Sequence, residues 1–247
     1  MKLTIVGSGD AFGSGGRLQT CFHVGTSEFS FLIDCGASSL IGMERAGLDP
    51  AGVDAIFITH LHGDHFSGLV WWVLYARHVE KRTRTLTIVG PPGIEARYLT
   101  TAEALFPGST GKEDHFELRF IENSKDAAVT LGSLTCTAIE VCHPSGAPSH
   151  GLRFEFGGKT LSYSGDTEWV DELFSLSAGA DVHINECFAY EAGLRYHTAW
   201  SILREKLCDI SAKRIVLTHM SRPMLARLDE IDERRVTIAS DGLEIDI

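Results

Sequence analysis

No apolar run in this chain approaches the roughly 18 residues that span a bilayer. The opening Met1-Lys2-Leu3-Thr4-Ile5-Val6-Gly7 is too short on apolar residues for a secretion signal and reads as a first strand. No membrane partner is therefore expected. Cysteine is sparse, with six residues at 21, 35, 136, 142, 187 and 208 and no CxxC pair. Dispersed thiols in a chain of this length point to a reduced, cytoplasmic protein and not to a disulfide scaffold. Only 7 prolines and 25 scattered glycines exclude a collagen-like repeat. Positive charge is also short. Lys and Arg number 22 against 33 Asp and Glu, a net charge of −11, which argues against a broad electrostatic footprint for nucleic acid. Arg77, Lys81, Arg82 and Arg84 do gather locally, and they read as a solvated helix end and loop.

Apolar residues make up 44% of the 247, enough for a sizeable core and too many for intrinsic disorder. The length allows one large domain or two small ones. Strands are predicted at 3–6, 21–24, 29–33, 55–59, 86–89, 116–121, 134–142, 152–156, 160–164, 182–185, 215–218, 236–239 and 243–247. Helices are predicted at 38–46, 66–77, 94–106, 168–177 and 199–208. Gly157-Gly158 and Asp241-Gly242 each carry the signature of a tight hairpin turn between flanking strands. Strands mixed with helices in each half suit two packed sheets covered by helices.

Residues 59–65 read Thr-His-Leu-His-Gly-Asp-His. His60, His62, Asp64 and His65 crowd into six positions between a buried strand and an apolar helix, where a loop can turn several side chains toward one point. Imidazole with carboxylate suits zinc, manganese or iron better than calcium. The bland alternative, a histidine-rich loop capping a helix, leaves several polar groups beside a buried strand without partners. Three later residues follow apolar runs: His143 after 134–142, Asp166 in Ser164-Gly165-Asp166-Thr167, and His219 in Thr218-His219-Met220-Ser221. Taken singly, each suits a satisfied histidine or a helix N-cap. Together with 60–65 they make a ligand set.

That set, in that order, resembles the metallo-β-lactamase superfamily of binuclear metallohydrolases. The opening Gly7-Ser8-Gly9-Asp10-Ala11, the strand-end Asp34-Cys35-Gly36 and the closing Ser240-Asp241-Gly242 resemble its ribonuclease Z-like branch, as do Asn185-Glu186-Cys187 and Tyr196-His197-Thr198. The resemblance covers essentially the whole chain and implies one domain, 1–247, with the four-layer αββα sandwich. It implies two divalent metal ions, zinc with manganese or iron as alternatives. His60, His62 and His143 would hold one; Asp64, His65 and His219 would hold the other; Asp166 would bridge them. Glu186 and a later histidine, here His197, sit beside the metals in that branch, whose members are commonly dimers.

The chemistry stands apart from the name. Two cations lower the pKa of a shared water toward neutrality and neutralise charge on the attacked oxygen. Asp64 can orient that water or take its proton, and His197, held by Glu186, can protonate the leaving oxygen. Asp34 suits either a partner for a ligand histidine or a simple strand-end turn. Cys35 and Cys187 read as small buried apolar residues, and His23, His78, His115, His150 and His183 as histidines outside the site. Trp71 and Trp72 read as core, with an interface as the alternative.

Phosphodiester hydrolysis is the expected reaction, on a small phosphodiester or an RNA 3′ end. Lactone, ester or thioester hydrolysis is the alternative within the superfamily, and a non-catalytic metal-bound binding module the alternative outside enzymes. Transfer-RNA processing members of the branch carry a protruding arm. Here only 22 residues separate His143 from Asp166, and Asn185 stands where the branch usually has His.

Overall fold

A computed structural model describes residues 1–111, 115–125, 127–231 and 234–247. The first half forms strands β1 (Lys2–Gly7), β2 (Cys21–Gly25), β3 (Ser30–Ile33), β4 (Ala55–Phe57), β5 (Leu86–Gly90) and β6 (Leu118–Glu122). The second forms β7 (Val129–Leu131), β8 (Leu134–Val141), β9 (Ser149–Phe156), β10 (Lys159–Tyr163), β11 (Val182–Glu186), β12 (Arg214–Thr218), β13 (Val236–Ile238) and β14 (Glu244–Asp246). One sheet has the order β14-β1-β2-β3-β4-β5-β6 and the other β13-β12-β11-β10-β9-β8-β7. Each is mixed: antiparallel pairs give way to a parallel run, β3 to β6 in the first sheet and β10 to β13 in the second.

Alternation of side chains along each strand sends one set of apolar residues between the sheets. Phe22, Phe31, Phe57, Phe154 and Tyr163 fill this layer with no solvent exposure. The rings of Phe31, Phe57 and Phe154 lie 5.0–5.4 Å apart by centroid, in tilted and edge-on contacts. The outer faces are covered by helices, as expected for parallel strands buried on both sides. Helices α1 (Ser39–Arg45), α2 (Gly63–Phe66), α3 (Gly68–Tyr75) and α4 (Ile94–Leu105) belong to the first half. Helices α5 (Glu172–Ser177), α6 (Trp200–Lys206) and α7 (Arg222–Leu225) belong to the second. Met43, Leu69, Trp72 and Ile94 pack with Leu32, Ile56 and Ile88 on the first outer face, and Leu203 and Met224 with Ile215 and Leu217 on the second. This is the expected αββα sandwich.

Several expectations change. Asp241-Gly242 joins no hairpin: β13 pairs in parallel with β12 in one sheet, while β14 pairs with β1 in the other. The Asp241 carboxylate accepts from the backbone and hydroxyl of Ser8 and from the backbone N–H of Leu18, so the turn is a tie between sheets. Gly157-Gly158 does turn β9 into β10, both glycines lying at positive φ (58° and 75°) as a tight hairpin requires. Arg77 and Arg82 are buried, contrary to a solvated helix end; Arg82 donates to the carbonyls of Val53, Arg84 and Thr85 and stitches that loop to the sheet. Trp72 is core, but Trp71 is partly exposed on an apolar groove with Leu74, Val79, Leu105 and Phe106. No helix among the described residues is long and apolar enough to cross a membrane.

Candidate metal centre

Parallel strands present their C-terminal ends at one edge, and ligand sites in such sheets lie outside those ends. Here β4 leads to His60, β10 to Asp166, β11 to Glu186 and β12 to His219, with His143 just past the end of β8. The strand predicted to reach residue 59 stops at Phe57. Thr59 leaves the sheet because its N–H and hydroxyl both donate to the Asp34 carboxylate, at 2.8 Å and 2.9–3.0 Å. The helix predicted from residue 66 starts earlier, at Gly63, so Asp64 and His65 sit on a helical turn and not in a loop. Two glycines permit that turn to press against residues 35–36. A Cβ on Gly36 would stand 2.4 Å from the Asp64 carbonyl oxygen, and one on Gly68 2.2 Å from the Gly36 carbonyl oxygen.

In three of the rings the second nitrogen is used to aim the first. His60 Nδ1 lies 3.0 Å from the Thr59 hydroxyl oxygen, His65 Nδ1 2.7 Å from Asp34 Oδ2, and His143 Nδ1 2.8 Å from the Tyr196 carbonyl oxygen. With Nδ1–H donating in each case, Nε2 is left as a lone pair turned inward. His143 Nε2 faces His62 Nδ1 at 3.0 Å. Asp166 Oδ2 sits among four imidazoles: 3.3 Å from His65 Nε2, 3.4 Å from His219 Nε2, 3.9 Å from His60 Nε2 and 4.0 Å from His143 Nε2. Asp64 Oδ2 lies 3.2 Å from both His65 Nε2 and His219 Nε2.

Two groups result. Donor atoms of His60, His62 and His143 lie within 4.8 Å of one another, and so do those of Asp64, His65, Asp166 and His219. These bring together the residues named from the resemblance; two further groups join His197 to His143 and Asp166, and to Glu186 and His219. His60 Nε2, His65 Nε2 and Asp166 Oδ1 are buried and make no hydrogen bond, a costly arrangement for protein alone and a natural one around cations. Three imidazoles beside a carboxylate-rich set with imidazole match the borderline divalent metals, so the residues present fit a metal centre.

The electrostatics of the two groups differ: burial lowers the His65 and His219 pKa values, but Asp166 and Asp64 outweigh it and the net shift of both is upward. Burial pushes the His60 imidazole well below its ordinary pKa, with His65 adding to the push, so its lone pair stays free. Burial alone would raise Asp166 and Asp64. The surrounding imidazoles outweigh it, His219 and His65 for Asp166 and chiefly His65 for Asp64, and hold both carboxyls below the usual range.

Beside the metal groups, Glu186 is fully buried and its Oε1 lies 3.0 Å from His197 Nδ1. The same carboxylate accepts from the backbone N–H groups of Thr167 and Phe188. Burial lowers the His197 pKa, but the Glu186 bond and charge outweigh it and the net shift is upward. His197 packs on Phe188, centroids 4.8 Å apart, and on His219, stacked at 5.7 Å and 11°, and those two rings lie 6.0 Å from each other. A cavity of about 500 Å³ opens over the centre, with His62, Asp64, His143, Asp166 and His197 in its floor and wall and Phe12 and Leu194 at its apolar side.

The chain matches the family model described as anti-Pycsar protein Apyc1 over residues 1–237. It belongs to the Apyc1 family. Relatives of this Apyc1-family chain include the ribonuclease Z of Methanothermobacter thermautotrophicus, 26% identical over 90% of this chain and 87% of its own. Among solved structures, the short form of human tRNase Z superposes with a TM-score of 0.82 at 24% identity, covering 100% of this chain and 99% of that one. The metallo-β-lactamase fold protein YhfI from Bacillus subtilis superposes at 0.80 with 22% identity, covering 99% and 98%. The Apyc1-family chain thus has the metallo-β-lactamase fold with ribonuclease Z-like relatives.

Sequence reading missed some participants. Tyr196 is one of four non-glycine residues at positive φ among the described residues, and three of the four, Asp34, Tyr196 and His219, belong to this site. Such strained backbone clusters where function demands it. Nothing in residue type betrays the carbonyl of Tyr196. Phe12 was foreshadowed only by the glycines after it, Gly13, Gly15 and Gly16, all at positive φ. Of the histidines read as lying outside the site, His23, His150 and His183 hydrogen-bond instead to Ser30, Asn123 and Ser162.

Proposed function

We propose that this chain is a metal-dependent phosphodiesterase holding two divalent cations, zinc in the first instance, between His60, His62 and His143 on one side and Asp64, His65 and His219 on the other. Asp166 would stand between them. The observation that carries the reading is the single Asp166 oxygen within 4.0 Å of four imidazoles that, among the described residues, have no other buried acid in common.

Bound there, the cations lower the pKa of a water and neutralise charge on the phosphoryl oxygens. The chain's own residues do the rest. Asp64, on the cavity wall beside His65 and His219, orients the attacking water or takes its proton. His197, its Nδ1 fixed by Glu186, offers its other nitrogen as the proton donor to the leaving oxygen. Contacts with Phe188 and His219 restrict the ring, and the Glu186 bond sets the direction from which the proton is delivered.

A small phosphodiester is favoured over an RNA 3′ end. The cavity of about 500 Å³ matches a nucleotide-sized molecule. The stretch between His143 and Asp166 is spent on β9, a two-glycine turn and β10, and the net charge is −11. The names of the ribonuclease Z relatives support the second reading, an RNA 3′ end. A substrate panel separates them. Hydrolysis of bis(p-nitrophenyl) phosphate and nucleoside cyclic phosphates, with no cut in a 3′-trailer precursor tRNA, supports the small substrate. A salt-sensitive cut in the precursor supports RNA, and turnover of lactones or nitrocefin alone refutes both.

A further inference from the structure

Glu168 lies beside the metal groups but is not part of them. It follows Asp166-Thr167 and precedes α5, which starts four residues later than predicted. Its Oε2 accepts from the backbone N–H of Tyr196 at 3.0 Å, and its Oε1 lies 3.3 Å from the Cys142 thiol. The Glu168 N–H donates to the Cys142 carbonyl, so side chain and main chain both tie this residue to the end of β8. The peptide on the other side of Tyr196 completes the link: the Tyr196 carbonyl accepts from His143 Nδ1 at 2.8 Å.

Tyr196 needs such a clamp. Its φ is 67°, a conformation that strains a non-glycine residue and persists only where the surroundings impose it. The residues before it, Glu191 to Arg195, are exposed, and Arg195 lies over the Tyr196 ring at 4.7 Å without fixing the backbone. On the far side, Thr198 donates to the Thr167 carbonyl at 2.8 Å and His197 binds Glu186. Two carboxylates thus straddle one short strap. Glu186 fixes its catalytic end, and Glu168 fixes the carbonyl that aims His143.

We propose that Glu168 is a positioning residue for His143, acting through the Tyr196 peptide. Its carboxylate holds the strained peptide so that the carbonyl fixes the His143 tautomer and presents Nε2 toward His62 and Asp166. The proposal rests on the metal-centre reading above. It predicts that loss of the Glu168 acceptor weakens the cation held by His60, His62 and His143 and spares the one held by Asp64, His65 and His219.

The test is cation affinity of the full chain, measured by chelator competition with zinc and by the visible spectrum of the cobalt-substituted protein. Wild type is compared with Glu168→Ala and Glu168→Gln, with thermal unfolding in parallel. Glu168→Ala should lower the affinity of one cation about 10- to 100-fold, change one set of cobalt bands and leave the other cation as in wild type. Glu168→Gln keeps an oxygen for the Tyr196 N–H and should recover most of that loss. If the alanine variant does not fold, Glu168→Leu repeats the comparison with the volume kept. Wild-type affinity at both positions in the variant without an acceptor overturns the proposal, as does an equal loss with Gln and Ala. A wild-type chain that takes up no cation overturns the metal-centre reading, and the proposal with it.

Discussion

The Nδ1 of His65 lies 2.7 Å from Oδ2 of Asp34, and solvent reaches neither side chain. Asp34 stands at the end of β3 with φ 58° and also takes the N–H and hydroxyl of Thr59, whose oxygen in turn faces His60 Nδ1. One carboxylate therefore orients two rings, one in each metal group. Burial raises the Asp34 pKa, and the imidazole and Thr59 donors oppose that rise.

Removing that carboxylate should be felt in both stability and metal binding. Asp34→Ala leaves a buried imidazole and two buried donors unpaired, which costs about 3–5 kcal/mol for a broken buried pair. Metal affinity should fall about 10- to 100-fold, the usual consequence of losing a partner behind a ligand. Denaturant unfolding of the metal-free and metal-loaded protein separates the two losses.

His197→Ala should keep the metal content and lower kcat about 10²- to 10⁴-fold, the span of general acid catalysis. The loss should shrink for p-nitrophenyl esters, whose leaving group needs no proton, and be largest for alkyl phosphodiesters. A kcat unchanged on the alkyl substrate removes His197 from the mechanism. Glu186→Gln should lose part of the same effect, because Glu186 sets the charge and direction of the ring.

How much of this was legible in the sequence varied with the range of the interaction. The ligand set was readable because its residues are chemically distinctive and each follows an apolar run that ends at one sheet edge. Asp34 was left between two roles, since only the fold shows that β3 ends beside His65. Asp241-Gly242 misled because hairpin signatures are local, whereas the bonds from Asp241 to Ser8 and Leu18 cross some 220 residues or more and assign the flanking strands to different sheets. Arg82 misled likewise: charge suggests solvent, but carbonyls left over at the ends of neighbouring strands give its guanidinium buried acceptors. The short strand β7 escaped notice because Val129–Leu131 offers just two apolar residues and pairs only with β8 at the sheet edge.

Acid should destabilise the fold through His183. Its ring is fully buried between Ser162 Oγ, 2.9 Å from Nδ1, and Asn185 Oδ1, 3.0 Å from Nε2, and burial pulls its pKa down to about 4. The unfolded chain binds a proton at this histidine below about pH 6.5 while the folded chain does not. Stability therefore falls as pH drops from about 6.5 to about 4, by on the order of 3 kcal/mol for this one residue. Unfolding free energies between pH 7 and 4 should decline less steeply for His183→Gln than for wild type.

Phe12 is 83% exposed at the mouth of the cavity, a large aromatic side chain with no core role. Stacking of a planar group on such a ring is worth about 1–3 kcal/mol. Phe12→Ala should raise KM for a nucleoside phosphodiester by roughly 5-fold or more at constant kcat and leave a base-free aliphatic diester unaffected. Equal effects on both substrates would place Phe12 outside recognition.

The central claim is that Asp166 joins two cations into one hydrolytic centre. Metal content and bis(p-nitrophenyl) phosphate turnover, measured on the same preparation of wild type and Asp166→Ala, test it most directly. The account predicts about two divalent cations per chain with turnover in wild type, and loss of turnover with at least one cation lost in the variant. A wild-type chain free of metal, or an Asp166→Ala chain that still turns over the diester at the wild-type rate, would contradict it.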